Sequence, residues 1–147
     1  MILDSINSKI LRCLQENARM SNAEIGRQVG ISSPAVSERI KRMEDLGVIE
    51  GYKAIVSPFE IGYQLKAIIT LRAFMGKLKP FLEKVKTYDE VINCYRITGD
   101  ENIVMEVVLK HNKHLEAFID QLITYGESKT QIVLSRVVKQ KAVSPIK

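Results

Sequence analysis

Cysteine is scarce in this chain, which has only Cys13 and Cys94 among its 147 residues. The two lie far apart in the sequence and form no Cys-x-x-Cys pair, so the pattern indicates neither a disulfide framework nor a zinc site. We expect both to be buried or half-buried thiols in a reducing compartment. No metal site and no cofactor are predicted.

Long hydrophobic runs are also missing. No apolar stretch approaches the roughly 20 residues that a membrane span requires. The N-terminal sequence MILDSINSK lacks the basic-then-apolar layout of a secretory signal. We therefore expect a cytoplasmic protein with no membrane partner. With 46% apolar and 27% charged residues, the composition is that of an ordinary soluble chain, long enough for one domain or two small ones.

Motifs of catalysis are not evident. The sequence contains no glycine-rich phosphate loop and no Gly-x-Ser-x-Gly, and Cys94 has no evident partner base. His111 and His114 have a spacing that allows a shared metal, but no cysteine or carboxylate pattern completes such a site. Two solvated histidines at a helix end are the favoured interpretation. We predict that the protein is not an enzyme.

Positive charge exceeds negative charge by five, but the excess is not uniform. Residues 1–63 contain eight Lys and Arg against eight Asp and Glu, whereas residues 64–147 contain fourteen against nine. Net charge alone therefore cannot support a nucleic-acid partner for the first half. Any such prediction depends on a local cluster of basic side chains.

Two short helices joined by a tight turn are predicted between Ser21 and Gly47. Ser21 and Glu24 have the spacing of a capping box, and Met20 and Ile25 that of a hydrophobic staple. Gly30 is expected to end this helix in the left-handed conformation. The second helix is predicted to begin with Ser33 as N-cap and Pro34 at its first position, and to end at Gly47.

The second helix has an apolar stripe of Val36, Ile40 and Met43, which Leu46 is expected to extend. The first helix of the chain, capped by Asp4, supplies apolar partners, namely Ile6, Ile10, Leu11 and Leu14. Hydroxyl, guanidinium and ammonium groups on the opposite face can meet phosphates and base edges. The predicted DNA-binding residues are Ser33, Pro34, Ser37, Glu38, Arg39, Lys41 and Arg42. The alternative is a helical hairpin of a bundle whose charges are merely solvated.

Residues Val48–Val56 form a strand-like run, interrupted by Gly51, which we interpret as a wing or exit strand. The second half then follows a β-α-β-β-α-β order typical of the ferredoxin-like fold. The predicted elements are strands Leu65–Phe74, Val91–Thr98, Ile103–Lys110 and Thr130–Lys139, and helices Leu78–Lys86 and Lys113–Tyr125. Their buried positions are expected to be Leu78, Phe81, Leu82, Val85, Leu115, Phe118, Ile119, Leu122 and Ile123.

The fold class is therefore α+β, with a winged helix-turn-helix followed by a ferredoxin-like domain. The expected boundaries are 1–48 for the helix-turn-helix, 49–63 for the exit strand and linker, and 64–147 for the βαββαβ domain. Both helices of that domain should cover one face of the sheet, and the other face carries mixed side chains such as Ile68, Thr70, Val104 and Glu106. Such a face favours burial against a second copy. Two copies would present two helices to DNA, roughly 34 Å apart.

The chain resembles the leucine-responsive regulator/asparagine-synthetase regulator (Lrp/AsnC) family over nearly its whole length. The resemblance lies in SNAEIGRQVGISSPAVSERIKRMEDLGVIEGY and in CYRITGDENIVMEV. It implies a transcriptional regulator that dimerises, assembles further, often to octamers, and binds an amino acid or related molecule between C-terminal domains. It also implies an effector site at Thr98, Gly99, Asp100, Glu101 and Asn102.

Elementary chemistry is compatible with that effector site. Gly99 allows backbone N–H groups to approach a carboxylate, and Asp100 or Glu101 can receive an ammonium group. The same five residues also make a good hairpin turn that needs no ligand. The leading hypothesis is a sequence-specific, effector-modulated regulator. Alternatives are an architectural DNA-wrapping protein, or an amino-acid-binding module whose N-terminal helices contact a protein.

Overall fold

The computed structural model describes residues 3–146 and divides the chain into two compact units. The first unit runs to Ile55 and includes the C-terminal segment from Val138 onward. The second unit is Val56–Val137. Within the described residues, no helix is both long enough and apolar enough to cross a lipid bilayer.

The first unit is built on three helices, α1 (Ser5–Glu16), α2 (Asn22–Val29) and α3 (Ser33–Asp45). Each helix contributes at least one buried apolar side chain to a shared core. The core consists of Ile10, Cys13, Ile25, Val36 and Met43. Burial of Ile10, Ile25 and Val36 is complete, which follows from their helical spacing. The predicted three-helix arrangement is therefore confirmed.

The helix starts in this unit are set by side-chain caps. Asp4 accepts a hydrogen bond from the Asn7 backbone N–H at 2.7 Å, and the Ser21–Glu24 capping box is complete. Gly30 ends α2 with a φ of 82°. The N-cap of α3 is Ser32 and not Ser33, because the Ser32 hydroxyl is the group that accepts from Ala35. Pro34 therefore stands at the second helical position. Proline is tolerated in the first turn, where the backbone N–H has no partner within the helix, so no hydrogen bond is lost.

The segment after α3 differs from the prediction. Leu46 does not extend the buried stripe, since 53% of it is exposed at the C-cap, and Gly47 follows with a φ of 70°. Residues 48–56 form no strand, so the predicted wing is wrong for a single chain. Ile55 is 74% exposed, and no neighbouring strand of the same chain pairs with this apolar run.

The second unit contains four strands and two helices in the predicted order. After a 3₁₀ turn at Phe59–Ile61, the elements are β1 (Leu65–Ala73), α4 (Leu78–Lys84, continued by a 3₁₀ turn at Val85–Thr87), β2 (Val91–Arg96), β3 (Ile103–Leu109), α5 (Asn112–Leu122) and β4 (Gly126–Ile132). The strands form one antiparallel sheet in the order β2-β3-β1-β4. This is the ferredoxin-like arrangement, so the predicted α+β fold class is confirmed.

The core of this unit lies between the sheet and its two helices. Alternate residues of β1, namely Ala67, Ile69 and Leu71, are fully buried and pack in one cluster with Phe81 and Phe118. The opposite side of the sheet, here called the uncovered face, carries Ile68, Thr70, Tyr95, Val104 and Glu106. Of these five residues, Tyr95 is exposed and the other four are half-buried. On the same face Val108 is buried, and the polar residues Arg72, Asn93, Lys129 and Gln131 are exposed.

Two predictions about the end of this unit are wrong. Ile123 is 58% exposed and is the C-cap of α5, which ends at Leu122. The last strand covers Gly126–Ile132, not Thr130–Lys139. A Cβ at Gly126 would lie 2.3 Å from the Arg72 carbonyl oxygen, so this glycine permits the close approach that starts the strand pairing with Ala73.

Candidate nucleic-acid interface and effector loop

The outer surface of α3 presents most of the predicted contact residues to solvent. Six of the seven predicted residues are exposed, namely Ser33, Pro34, Ser37, Glu38, Lys41 and Arg42. The opposite side of the helix carries Val36 and Met43, which are buried in the core shared with α1 and α2. A rigid, outward-facing row of hydroxyl, carboxylate and cationic groups therefore stands on the second helix of a tight helical pair.

Arg39 differs from the other six. Its guanidinium donates to the Asp4 carboxylate at 2.7 Å and to the Asn7 side-chain oxygen at 2.9 Å, and 32% of its side chain is exposed. The hydrogen bond from the Asn7 backbone N–H, together with the Arg39 guanidinium, holds the pKa of Asp4 below its ordinary value. Arg39 thus ties the middle of α3 to the first turn of α1.

The turn between α2 and α3 depends on a glycine that the sequence analysis did not single out. The Gly26 carbonyl accepts from the N–H groups of Gly30 and Ile31 at 2.8 and 3.0 Å. A Cβ on Gly26 would come within 2.5 Å of the Ile31 carbonyl oxygen. A glycine inside a short predicted helix is the sequence signal that could have revealed this contact.

The segment that follows α3 is held by a contact that the sequence did not predict. The Tyr52 hydroxyl donates to the Glu44 carboxylate at 2.9 Å. Partial burial is the larger cause and this hydrogen bond the smaller one, and together they raise the pKa of Tyr52 to about 12. The phenol therefore stays protonated and holds the outgoing chain at the C-terminal end of α3.

The predicted effector residues lie between β2 and β3, and they divide into two groups. Thr98, Gly99 and Asp100 are exposed. Glu101 is half-buried and accepts from the Lys129 ammonium at 2.7 Å. That hydrogen bond lowers the pKa of Glu101 and raises the pKa of Lys129.

Asn102 connects this loop to the centre of the sheet. Its backbone N–H donates to the Leu71 carbonyl at 3.1 Å, and its side-chain oxygen accepts from the Ala73 N–H at 2.8 Å. Its carbonyl accepts from the N–H of Ile97 at 3.0 Å. The loop is therefore fixed at its Asn102 end, while its tip from Thr98 to Asp100 is exposed to solvent.

The remaining chemistry-bearing residues serve the fold of the second unit. His111 caps α5 by accepting from the His114 N–H at 3.1 Å, and the His114 ring lies 2.9 Å from the Glu90 carboxylate. Burial raises the pKa of the Cys94 thiol, which disfavours the nucleophilic thiolate. Within residues 3–146, no group of three or more His, Cys, Asp or Glu side chains is placed to hold a metal ion.

Comparison with known proteins matches the N-terminal and C-terminal parts of the chain to two different domain families. The AsnC-type helix-turn-helix domain matches residues 3–44, and the Lrp/AsnC ligand binding domain matches residues 66–143. The chain belongs to the Lrp/AsnC family. Members of this family are regulators of transcription, so the predicted class of function and the stated resemblance are confirmed.

Individual relatives of this Lrp/AsnC protein match along almost their whole length. The HTH-type transcriptional regulator Ptr1 of Methanocaldococcus jannaschii is 36% identical over 99% of this chain and 100% of its own. The transcriptional regulator NMB0573 of Neisseria meningitidis, solved as an L-Met complex, superposes with a TM-score of 0.91 at 26% identity, covering 97% of this chain and 96% of its own. LrpC of Bacillus subtilis gives 0.89 at 26% identity, with coverages of 95% and 100%.

Proposed function

We propose that this Lrp/AsnC regulator reads duplex DNA with the exposed face of α3. The observation that supports this most directly is the outward position of Ser37, Lys41 and Arg42 on a helix whose buried side is locked to α1 and α2. Lys41 and Arg42 supply phosphate contacts, and Ser37 supplies a hydroxyl that can bond to a base edge. Arg39 acts by orienting α3 through Asp4.

Binding through one such helix is weak, because Glu38, Glu44 and Asp45 dilute its positive charge. We propose that two copies pair, assemble further into a larger oligomer such as an octamer, and present their α3 helices to successive half-sites roughly 34 Å apart. The uncovered face supports this step, because it is too apolar for comfortable exposure and too polar for a monomer core. We propose a cytoplasmic location on the basis of the proposed DNA binding.

The experiment is an anisotropy titration of labelled duplexes against excess random DNA, with footprinting of the retained site. Arg42→Ala should weaken binding on all duplexes and reduce the salt slope by about 1. Ser37→Ala should change the preferred site more than the overall affinity. Arg12→Ala, which removes an exposed arginine of α1 that is paired with Glu16, is the matched control.

Two results would contradict site-specific reading by α3. Equal losses for Arg42→Ala and Ser37→Ala on every duplex would show that no base is read. Regularly phased protection on many unrelated sequences would instead indicate an architectural, DNA-wrapping protein. If the wild-type chain bound a ligand but no duplex, the result would favour a sensor whose N-terminal helices contact a protein.

We also propose that an amino acid or a related small molecule binds at the loop tip Thr98–Asp100. The open Gly99 backbone, the nearby Asp100 carboxylate and the L-Met complex of the Neisseria relative support this proposal. Glu101 and Asn102 hold the loop in place through Lys129 and Ala73. The ligand modulates DNA binding only if it favours one assembly state over another.

A thermal-shift screen of the twenty amino acids tests the effector. A ligand at a hundred times its dissociation constant adds about 2.7 kcal/mol to the unfolding free energy. Asp100→Asn should abolish the shift, whereas Asp120→Asn on α5 should leave it unchanged. A flat screen would contradict the effector proposal and leave the DNA proposal intact.

A further inference from the structure

The helix-turn-helix itself carries little net positive charge. Residues 1–55 contain eight Lys and Arg against seven Asp and Glu. On α3, the Arg39 guanidinium is engaged by side chains of α1, which leaves Lys41 and Arg42 for phosphates. Phosphate neutralisation supplies essentially all non-specific affinity for DNA, so the two unengaged cations of α3 are few.

The C-terminal segment supplies the missing charge. Residues 138–147 contain three lysines and no acidic residue. The segment belongs to the same compact unit as the three helices, not to the sheet from which it leaves. With it, the formal count of the first unit becomes eleven basic against seven acidic residues. Lys139 and Lys141 are both exposed.

A specific contact anchors this segment to α1. The Gln15 side-chain nitrogen donates to the Val143 carbonyl at 2.9 Å, and the Gln15 side-chain oxygen accepts from the Val143 N–H at 2.9 Å. One carboxamide thus satisfies both backbone groups of one residue, as a neighbouring strand would. Gln140, between the two lysines, has a φ of 31°, which bends the chain there.

We propose that Val138–Ile146 is a second DNA-contacting element, whose lysines bind the sugar-phosphate backbone beside the site that α3 reads. This inference rests on the proposed function, since it assumes that α3 lies against a duplex. The contacts are electrostatic and carry no base preference. Gln15 is the positioning residue, because it holds the lysines on the helix-turn-helix unit.

Charge favours a duplex over a second copy of the chain as the occupant. A duplex presents one negative charge for about every 1.7 Å of its axis. A second copy offers the same lysine-rich segment, so tail-to-tail packing would bring like charges together.

The test compares two double variants of the full chain. Lys139→Gln/Lys141→Gln removes the proposed contacts, and Lys77→Gln/Lys79→Gln removes two exposed lysines of the second unit as a matched control. Dissociation constants are measured on a specific and a random duplex between 50 and 200 mM salt. The tail variant should lose about 0.9 of salt slope for each phosphate contact removed, equally on both duplexes.

Gln15→Leu tests the anchor with all lysines present. It should weaken binding at low salt as the tail variant does, whereas Ser37→Ala should change the preferred site more than the overall affinity. Circular dichroism checks its fold, and if it fails to fold the lysine pair decides the question.

An unchanged salt slope in the tail variant overturns the inference. An unchanged slope together with a lower sedimentation coefficient also overturns it, because the segment then packs on a second copy. Failure of the wild-type chain to bind any duplex is a different result, which removes the proposed function itself.

Discussion

Gly26 shows how one missing side chain controls the geometry of the α2–α3 turn. Its Cα faces the Ile31 carbonyl so closely that a Cβ would lie 2.5 Å from that oxygen. The contact involves backbone on both sides, so neither partner can rotate away. Gly26 is therefore required by packing, although its helical conformation would suit any residue.

Gly26→Ala should therefore lower the free energy of unfolding by about 1–3 kcal/mol, within the range for overpacked core substitutions. The usual helix effect has the opposite sign, since Ala in a helix is favoured over Gly by about 1 kcal/mol. Urea unfolding of the full chain measures the difference. Gly30→Asn, at an open left-handed position, is the control and should cost far less. A stabilised Gly26→Ala variant would contradict the close contact.

The Asp4 carboxylate, which accepts from the Asn7 backbone N–H and from the Arg39 guanidinium, makes stability depend on pH. Because folding lowers the pKa of Asp4 from its ordinary value of 3.8, this carboxylate stabilises the fold above that value. The contribution is lost as pH falls through the folded pKa. Asp4→Asn should therefore destabilise the chain more at pH 7 than at pH 3, as measured by urea unfolding. The pH-dependent part should shrink in an Arg39→Gln background, and a pH-independent difference would contradict the pairing.

At the scale of elements, the start of α5 depends on a histidine used as a cap. The His111 ring accepts the His114 N–H, and the His114 ring in turn accepts the Lys110 N–H at 3.1 Å. The two histidines that suggest a metal pair in the sequence are thus engaged by backbone groups. Their spacing reflects helix capping.

Replacing this cap should cost as much as removing an ordinary one. His111→Ala should destabilise the chain by about 1 kcal/mol, the typical loss for an N-cap. His111→Asn should restore most of that stability, because asparagine is a preferred capping residue. Chemical unfolding of both variants provides the comparison. If the two variants were equally unstable, the cap would not be the origin of the effect.

Elements with strong local signals were predictable from the sequence. The Ser21–Glu24 box and the alternation of Ala67, Ile69 and Leu71 specify their helix and strand without help from distant residues. The start of β4 was not predictable, because the close approach of Gly126 to Arg72 joins residues far apart in the chain. The exit segment after Gly47 was also misjudged, since β-branched residues form a strand only where a partner strand is available.

The kind of candidate site was predictable from the sequence, but the separate roles of its residues were not. Local periodicity places Ser37, Lys41 and Arg42 on the outer side of their helix. Nothing local shows that Arg39 is engaged by α1, or that Glu101 pairs with Lys129, because both contacts depend on tertiary packing.

At the scale of the whole molecule, the uncovered face should determine assembly. Tyr95 is 55% exposed there and lies directly opposite Val104 on the neighbouring strand. A lysine at this point would introduce an unpaired charge into a packed interface. Tyr95→Lys should therefore dissociate the proposed oligomer and weaken DNA binding through lost bivalency.

Sedimentation velocity of the full chain measures this effect. Ile123→Lys is the matched control, because it replaces an exposed apolar residue at the end of α5, outside the uncovered face. It should leave the oligomer intact. An unchanged sedimentation coefficient for Tyr95→Lys would mean that assembly uses another surface.

The link between Arg39 and α1 has a consequence for retargeting this regulator. The side chains that we propose to meet the base pairs and the side chain of Arg39, which joins α3 to α1, belong to different residues of α3. Operator preference should therefore be transferable between paralogues by exchanging Ser33 and Ser37 alone. An exchange that also replaces Arg39 but keeps Asp4 would change the orientation of α3, and the operator preference would then not be transferred.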